Sequence, residues 1–146
     1  MLQESARARR AAGVDALVMH DGLTRAARDH AAELARRAEL DHSSTDPNRR
    51  TLAQRIRLEG VRSFRRIGEN LGAVLNPLIE PGRQVIRLWL ESPGHRANLL
   101  EPTFDRTGVG AIRASDGTWY VVQVYGAGID VRTSGSFSRL LHATVR

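Results

Sequence analysis

The chain contains no cysteine, so thiolate nucleophiles, disulfides and cysteine-ligated zinc or iron–sulfur centres are excluded. Lysine is absent too. All 22 basic residues are arginine, which removes Schiff-base catalysis and the phosphate-binding lysine of a P-loop. No apolar run approaches the roughly 20 residues needed to cross a bilayer, so no transmembrane segment is expected. Met1 to Arg10 lacks an apolar signal core. An extracellular or cell-envelope destination would therefore require a signal peptide removed upstream. The net charge of +6 comes without a zinc-finger, helix-turn-helix or RNA-recognition signature, and Arg7, Arg25, Arg36, Arg55, Arg83 and Arg113 are scattered. Only Arg62, Arg65 and Arg66 gather, around Phe64. A solvated basic surface, or attraction to an anionic envelope polymer, accounts for this charge, and no nucleic-acid partner is expected. Ser43, Ser44 and Ser92 stand in no nucleophile-elbow sequence, which argues against a Ser-His-Asp enzyme.

What is present suits one domain: 146 residues with 41% hydrophobic and 26% charged side chains. A first helix is expected from about Leu2 to Ala12, ending at Gly13. Leu23, Ala26, Ala27, His30, Ala31, Leu34, Ala35 and Ala38 recur at three and four residues, predicting an amphipathic helix capped by Asp21 with His30 inside its apolar stripe. His20 has no recognisable partner and reads as surface. Asp46 and Pro47 would cap a helix carrying Leu52, Arg55 and Ile56 and closing at Gly60. Arg66 to Val74 reads as a strand. Asp116-Gly117, between two β-prone runs, predicts an antiparallel hairpin. After Gly126 the composition turns to Gly, Ser, Thr and Arg, giving one domain over 1–126 and a loosely ordered tail over 127–146.

The most informative stretch is Trp89-Leu90-Glu91-Ser92-Pro93-Gly94-His95-Arg96-Ala97-Asn98-Leu99-Leu100. A helix presenting Val85, Leu88 and Trp89 on one face must break at Pro93, and Ser92-Pro93 then reads as an N-cap and first residue of a second helix. His95 follows in its first turn, beside the kink. His42 lies in a polar loop between helices. Glu69 shares a strand face with Leu71, which leaves two readings: it points inward, where a carboxylate demands a cation, a metal or a hydrogen-bonded partner, or it stands exposed at a sheet edge.

His42-Ser43, Gly68-Glu69-Asn70-Leu71, Trp89 through Leu100, and Gly108-Val109-Gly110 followed by Trp119 through Gly126 stand in one order that resembles the CAP superfamily. That superfamily comprises cysteine-rich secretory proteins, antigen-five and pathogenesis-related proteins, and this chain is most similar to its cysteine-free bacterial members. The resemblance spans about residues 3 to 126. It implies an α+β fold, a three-layer α-β-α sandwich with a small antiparallel sheet. It also implies a cleft lined by His42, Glu69 and His95 that binds a divalent metal such as zinc, the histidines as neutral bases. Members with a four-residue site carry a second glutamate three positions after the tryptophan that matches Trp89, where this chain has Ser92. Glu91 is adjacent but points about 100° elsewhere on a helix.

Three functions are compatible with these residues. The first is a secreted or envelope-associated binding protein whose His/Glu cleft takes a metal and whose partner is a small molecule, a lipid or an envelope component. The second is a metal-dependent, protease-like hydrolase with Glu69 as catalytic general base for a metal-bound water. The third is a structural domain in which the histidines and Glu69 form a buried hydrogen-bond network.

Overall fold

A computed structural model describes residues 1–128. The elements run α1 (Leu2–Ala11), β1 (Val18–Met19), α2 (Asp21–Arg37), α3 (Leu52–Leu58), β2 (Arg66–Leu75), α4 (Pro81–Glu91), α5 (Pro93–Leu99), β3 (Arg106–Arg113) and β4 (Thr118–Ala127). The four strands lie in the order β1-β3-β4-β2. The long strands are antiparallel, with Glu69 opposite Val124 and Gly110 opposite Val122. The expectation of a wholly antiparallel sheet needs one correction: β1 pairs in parallel with β3. Two residues are too few to show a period-two pattern, so nothing in the sequence marked them.

Side-chain alternation divides the core between the two sheet faces. Tyr120, Val122, Val124 and Leu71 pack against Leu23, Ala27, Ala31 and Leu34 of α2 and Ile56 of α3. Val121 and Val74 meet Val85, Ile86 and Trp89 of α4 and Leu99 of α5, with Met1 and Ala8 at the margin. Helices on both faces of one sheet make the α-β-α sandwich. The close approach of α2 is set by Gly108 and Gly110, where an added Cβ would strike the backbone of Leu23 and Thr24, and of Ala27 and Arg28. The hairpin forms at Asp116-Gly117, with Gly117 at φ 92°.

Several local expectations are corrected. His20, and not Asp21, is the N-cap of α2: its ring accepts from Leu23 N–H at 3.4 Å and packs edge-on against Phe64 at 5.3 Å. α3 begins at a capping box formed by Thr51 and Gln54, while Asp46 instead turns the preceding loop by accepting from Asn48 N–H. Leu88 is exposed because α4 buries Val85, Ile86 and Trp89. Ser92 is the N-cap residue of α5 by position, yet its hydroxyl makes no cap bond. The expected loose tail lies, from residue 129 onward, outside the described residues; Ala127 is the buried end of β4.

Candidate functional site

β2 is an edge strand, and the site is assembled where the two helical layers meet that edge. An edge exposes unpaired backbone groups that must be covered. Here the Glu69 carbonyl accepts from Asn98 Nδ2 at 3.3 Å and the Leu71 carbonyl from Trp89 Nε1 at 2.8 Å. These residues are two apart and so face the same edge. The Trp89-to-Leu100 stretch is therefore fastened along β2 by side chains.

Alternation sends Glu69 to the α2/α3 face and Asn70 to the α4/α5 face. Glu69 is 7% exposed and divides its carboxylate between two partners. Oε2 accepts from Arg55 Nη2 at 2.7 Å, and Oε1 accepts from Nδ1–H of His42 at 2.9 Å. Because a carboxylate only accepts, the second bond fixes the proton on His42 Nδ1. Arg55, 1% exposed, also donates through Nη1 to the carbonyls of His42, Arg49 and Arg50 at 3.0, 3.3 and 3.3 Å. One guanidinium thus ties the loop bearing His42 to the carboxylate that orients its ring.

On the other face, Asn70 is fully buried and donates to the His95 carbonyl at 2.9 Å and to Tyr125 Oη at 3.1 Å, while its own oxygen accepts from Asn98 at 3.1 Å. The His95 ring stacks on Trp89 with centroids 6.2 Å apart, and its Nδ1 pairs with Ser92 Oγ at 2.8 Å. The Ser92 hydroxyl therefore orients His95.

The electrostatics follow from these contacts. The hydrogen bond to Glu69 raises the His42 pKa above 6.5, with the carboxylate's charge adding to it against partial burial. Burial lowers His95, and the charge of His42 lowers it further, so the two imidazoles sense each other. Both have Nδ1 engaged, and in each the Nε2 atom is the one left to meet a ligand. Among the described residues no set of three His, Cys, Asp or Glu side chains comes together to hold a metal.

The structure brings His42 and Glu69 into direct contact and sets His95 across the β2 edge. Glu91 is exposed. Sequence reasoning placed Arg55 on α3 but did not join it to Glu69, gave no role to Asn70 or Asn98, and took Ser92 for a helix cap where its hydroxyl instead meets His95. The Thr51-x-x-Gln54 capping box, which fixes where α3 starts, was a usable signal for Arg55. The two asparagines carried none beyond their place in the motifs.

The family model described as "CAP: Cysteine-rich secretory protein family" matches residues 2–125. An outer surface protein from Borrelia burgdorferi is 26% identical with a TM-score of 0.74, over 88% of this chain and 90% of that one. An extracellular protein containing an SCP domain from Bacillus anthracis is 26% identical with a TM-score of 0.67, over 86% of this chain and 39% of that longer one. NaASP2, solved with Zn2+, is 14% identical with a TM-score of 0.55, over 86% of this chain and 75% of that one, and shares the fold. A comparison with curated proteins gives no match.

Proposed function

The chain belongs to the cysteine-rich secretory protein (CAP) family, and from that premise we propose that it is a bacterial binding module whose cleft, at the free edge of β2, engages its ligand through the imidazoles of His42 and His95. The observation that carries this reading is the division of the Glu69 carboxylate between buried Arg55 and His42. It holds a solvent-facing imidazole in one tautomer and one orientation, which is preorganisation for a ligand at Nε2. The Ser92 contact does the same for His95.

A divalent ion such as zinc suits two neutral imidazoles whose opposite nitrogens are hydrogen-bonded, the usual arrangement behind a histidine ligand. In this reading His42 and His95 are the ligands and Glu69 stands behind His42 as its orienting partner. When bound, such an ion would supply Lewis acidity in the cleft. That the related NaASP2 was solved with Zn2+ is compatible with it. The hydrolase reading has weaker support, because both oxygens of Glu69 are already committed and a general base needs one free to take a proton. The family's outer-surface and extracellular relatives at 26% identity favour an envelope or extracellular setting.

Calorimetric titration with zinc, comparing wild type with His42→Ala/His95→Ala, tests the reading. Saturable heat is expected in the wild type and none in the double variant, with far-UV circular dichroism unchanged. Equal heats in both proteins would remove the imidazoles from the site. Glu69→Gln should weaken binding by about 10- to 100-fold, the usual effect of losing an orienting partner.

A further inference from the structure

Where α3 ends and the chain turns into β2 lies a hollow of about 200 Å³ whose floor is made by Ile56, Val61, Phe64 and Ile67. Ile56 and Val61 are buried, and Phe64 and Ile67 are half-buried. The Phe64 ring is held in place: it lies against the backbone of Gly126, where an added Cβ would strike it, and the His20 ring stands edge-on to it at 5.3 Å. The floor is therefore apolar and fixed.

The charge around it is of one sign. Arg57, Arg62 and Arg65 line the hollow, no acidic side chain does, and all three arginines are exposed. An arginine so placed lays its methylene stem on apolar surface and keeps its guanidinium in water. Among the described residues the side chains of Arg57 and Arg62 have neither an ion pair nor a hydrogen bond, and Arg65 donates only through Nε, to the Gly128 carbonyl at 3.3 Å. Neighbouring charges are committed elsewhere. Glu59 pairs with Arg25 at 2.7 Å, and Arg66 pairs with Glu101 at 3.0 Å and lies over Phe104. The basic group around Phe64 is thus divided: Arg66 is neutralised, while Arg62 and Arg65, joined by Arg57, are not.

Charge and size together narrow the class of ligand. Three cations around one hollow repel one another until an anion joins them, so a cationic ligand is excluded. A neutral molecule leaves that charge unanswered, and a bare inorganic anion leaves the apolar floor wet. An anion carried on an apolar body meets both demands, and a carboxylate presents the pair of oxygens that a guanidinium binds through two parallel hydrogen bonds. The volume lies below the roughly 300 Å³ at which pockets for drug-sized ligands begin, which leaves room for one ring and not for an acyl chain. A flat ring also suits the Phe64 face and the planes of the guanidinium groups.

We infer that this hollow is a second binding site, for a small aromatic carboxylate whose ring lies on the Phe64 floor and whose charge is met by Arg57, Arg62 and Arg65. It shares no lining residue with the groups that hold His42 and His95, and it stands whether or not the cleft takes zinc.

The test is NMR of 15N-labelled, zinc-free protein titrated with phenylacetate, with acetate and with phenylacetamide. Saturable movement of the amide signals between Ala53 and Ile67 is expected with phenylacetate. Affinity should be about tenfold weaker or more for acetate, which lacks the ring, and for phenylacetamide, which lacks the charge. Arg57→Gln/Arg62→Gln, at two exposed positions outside the core, should weaken phenylacetate binding by about tenfold or more, while His42→Ala/His95→Ala leaves it unchanged. Equal affinity for acetate and phenylacetate, meaning attraction of any anion to a basic surface, would overturn the inference. So would equal affinity for phenylacetamide, full binding in the arginine variant, loss of binding in the histidine variant, or no saturable movement at all.

Discussion

Arg55 and Glu69 meet at 2.7 Å with both side chains almost wholly buried, so removing either charge strands the other without water. Arg55→Met should therefore destabilise the domain by about 3–5 kcal/mol, read as a lowered urea midpoint at unchanged slope. The histidines make opposite predictions about pH. His42 is raised by Glu69, so its contribution is complete below the unfolded value of 6.5 and fades as pH rises through the higher folded value. His30 and His95 are lowered, both first by burial. For them stability falls as pH drops below 6.5, because the unfolded chain takes up protons that the folded one resists. Histidine Hε1 titrations by NMR should find His42 above and the other two below 6.5, with Glu69→Gln bringing His42 back down. At this scale the sequence was partly legible. A strand glutamate that pointed inward with Leu71 had to find a partner, but which of 22 arginines supplied it depended on where α3 starts and how it leans on the sheet.

The helix α2 is held against β3 by the absence of side chains at Gly108 and Gly110, where backbone lies against backbone. Either Gly→Ala change should cost about 3 kcal/mol by forcing the helix off the sheet. Thr51→Ala, which removes only the α3 cap, should cost about 1 kcal/mol. Thermal unfolding of the three variants would rank them, and a Gly110→Ala protein as stable as wild type would show that α2 has room to lift. Elements with strong local signals were readable: the stripe of α2 came from its spacing and the hairpin from Asp116-Gly117 between two β-prone runs. Those that rest on short signals were not. The two residues of β1 carry no pattern, and the α3 start turned on whether Asp46 or Thr51 found its partner three residues later, which both residue types permit.

For the molecule as a whole, Arg9 plays a part like that of Arg55. Fully buried in α1, it donates to the carbonyls of Asp15 at 2.6 Å, Leu99 at 2.9 Å, Glu101 at 3.1 Å and Phe104 at 3.0 Å. Arg9→Met should cost at least about 3 kcal/mol, as four acceptors lose a charged donor, and hydrogen exchange should rise first in α1 and the Leu99–Phe104 segment. The site depends on the same long-range organisation. His42, Glu69 and His95 come from a loop, an edge strand and a kinked helix on opposite sheet faces, so local periodicity could nominate each of them, and the order of motifs grouped them. Only the strand order explains why the segments that carry them come together at the β2 edge.

That strand order also bears on how the protein is made. Among the described residues the strand carrying Glu69 pairs with β4 alone, the last strand described, which also separates it from β3. A chain leaving the ribosome with its N-terminus first has β2 in hand, with its buried glutamate and asparagine, long before the strand that pairs with it is made. A nascent chain stalled at residue 117 holds both flanking strands and lacks the one between them. Apart from the two-residue pairing of β1 with β3, the sheet closes only when Thr118 to Ala127 emerges, because β4 is what joins β2 to β3.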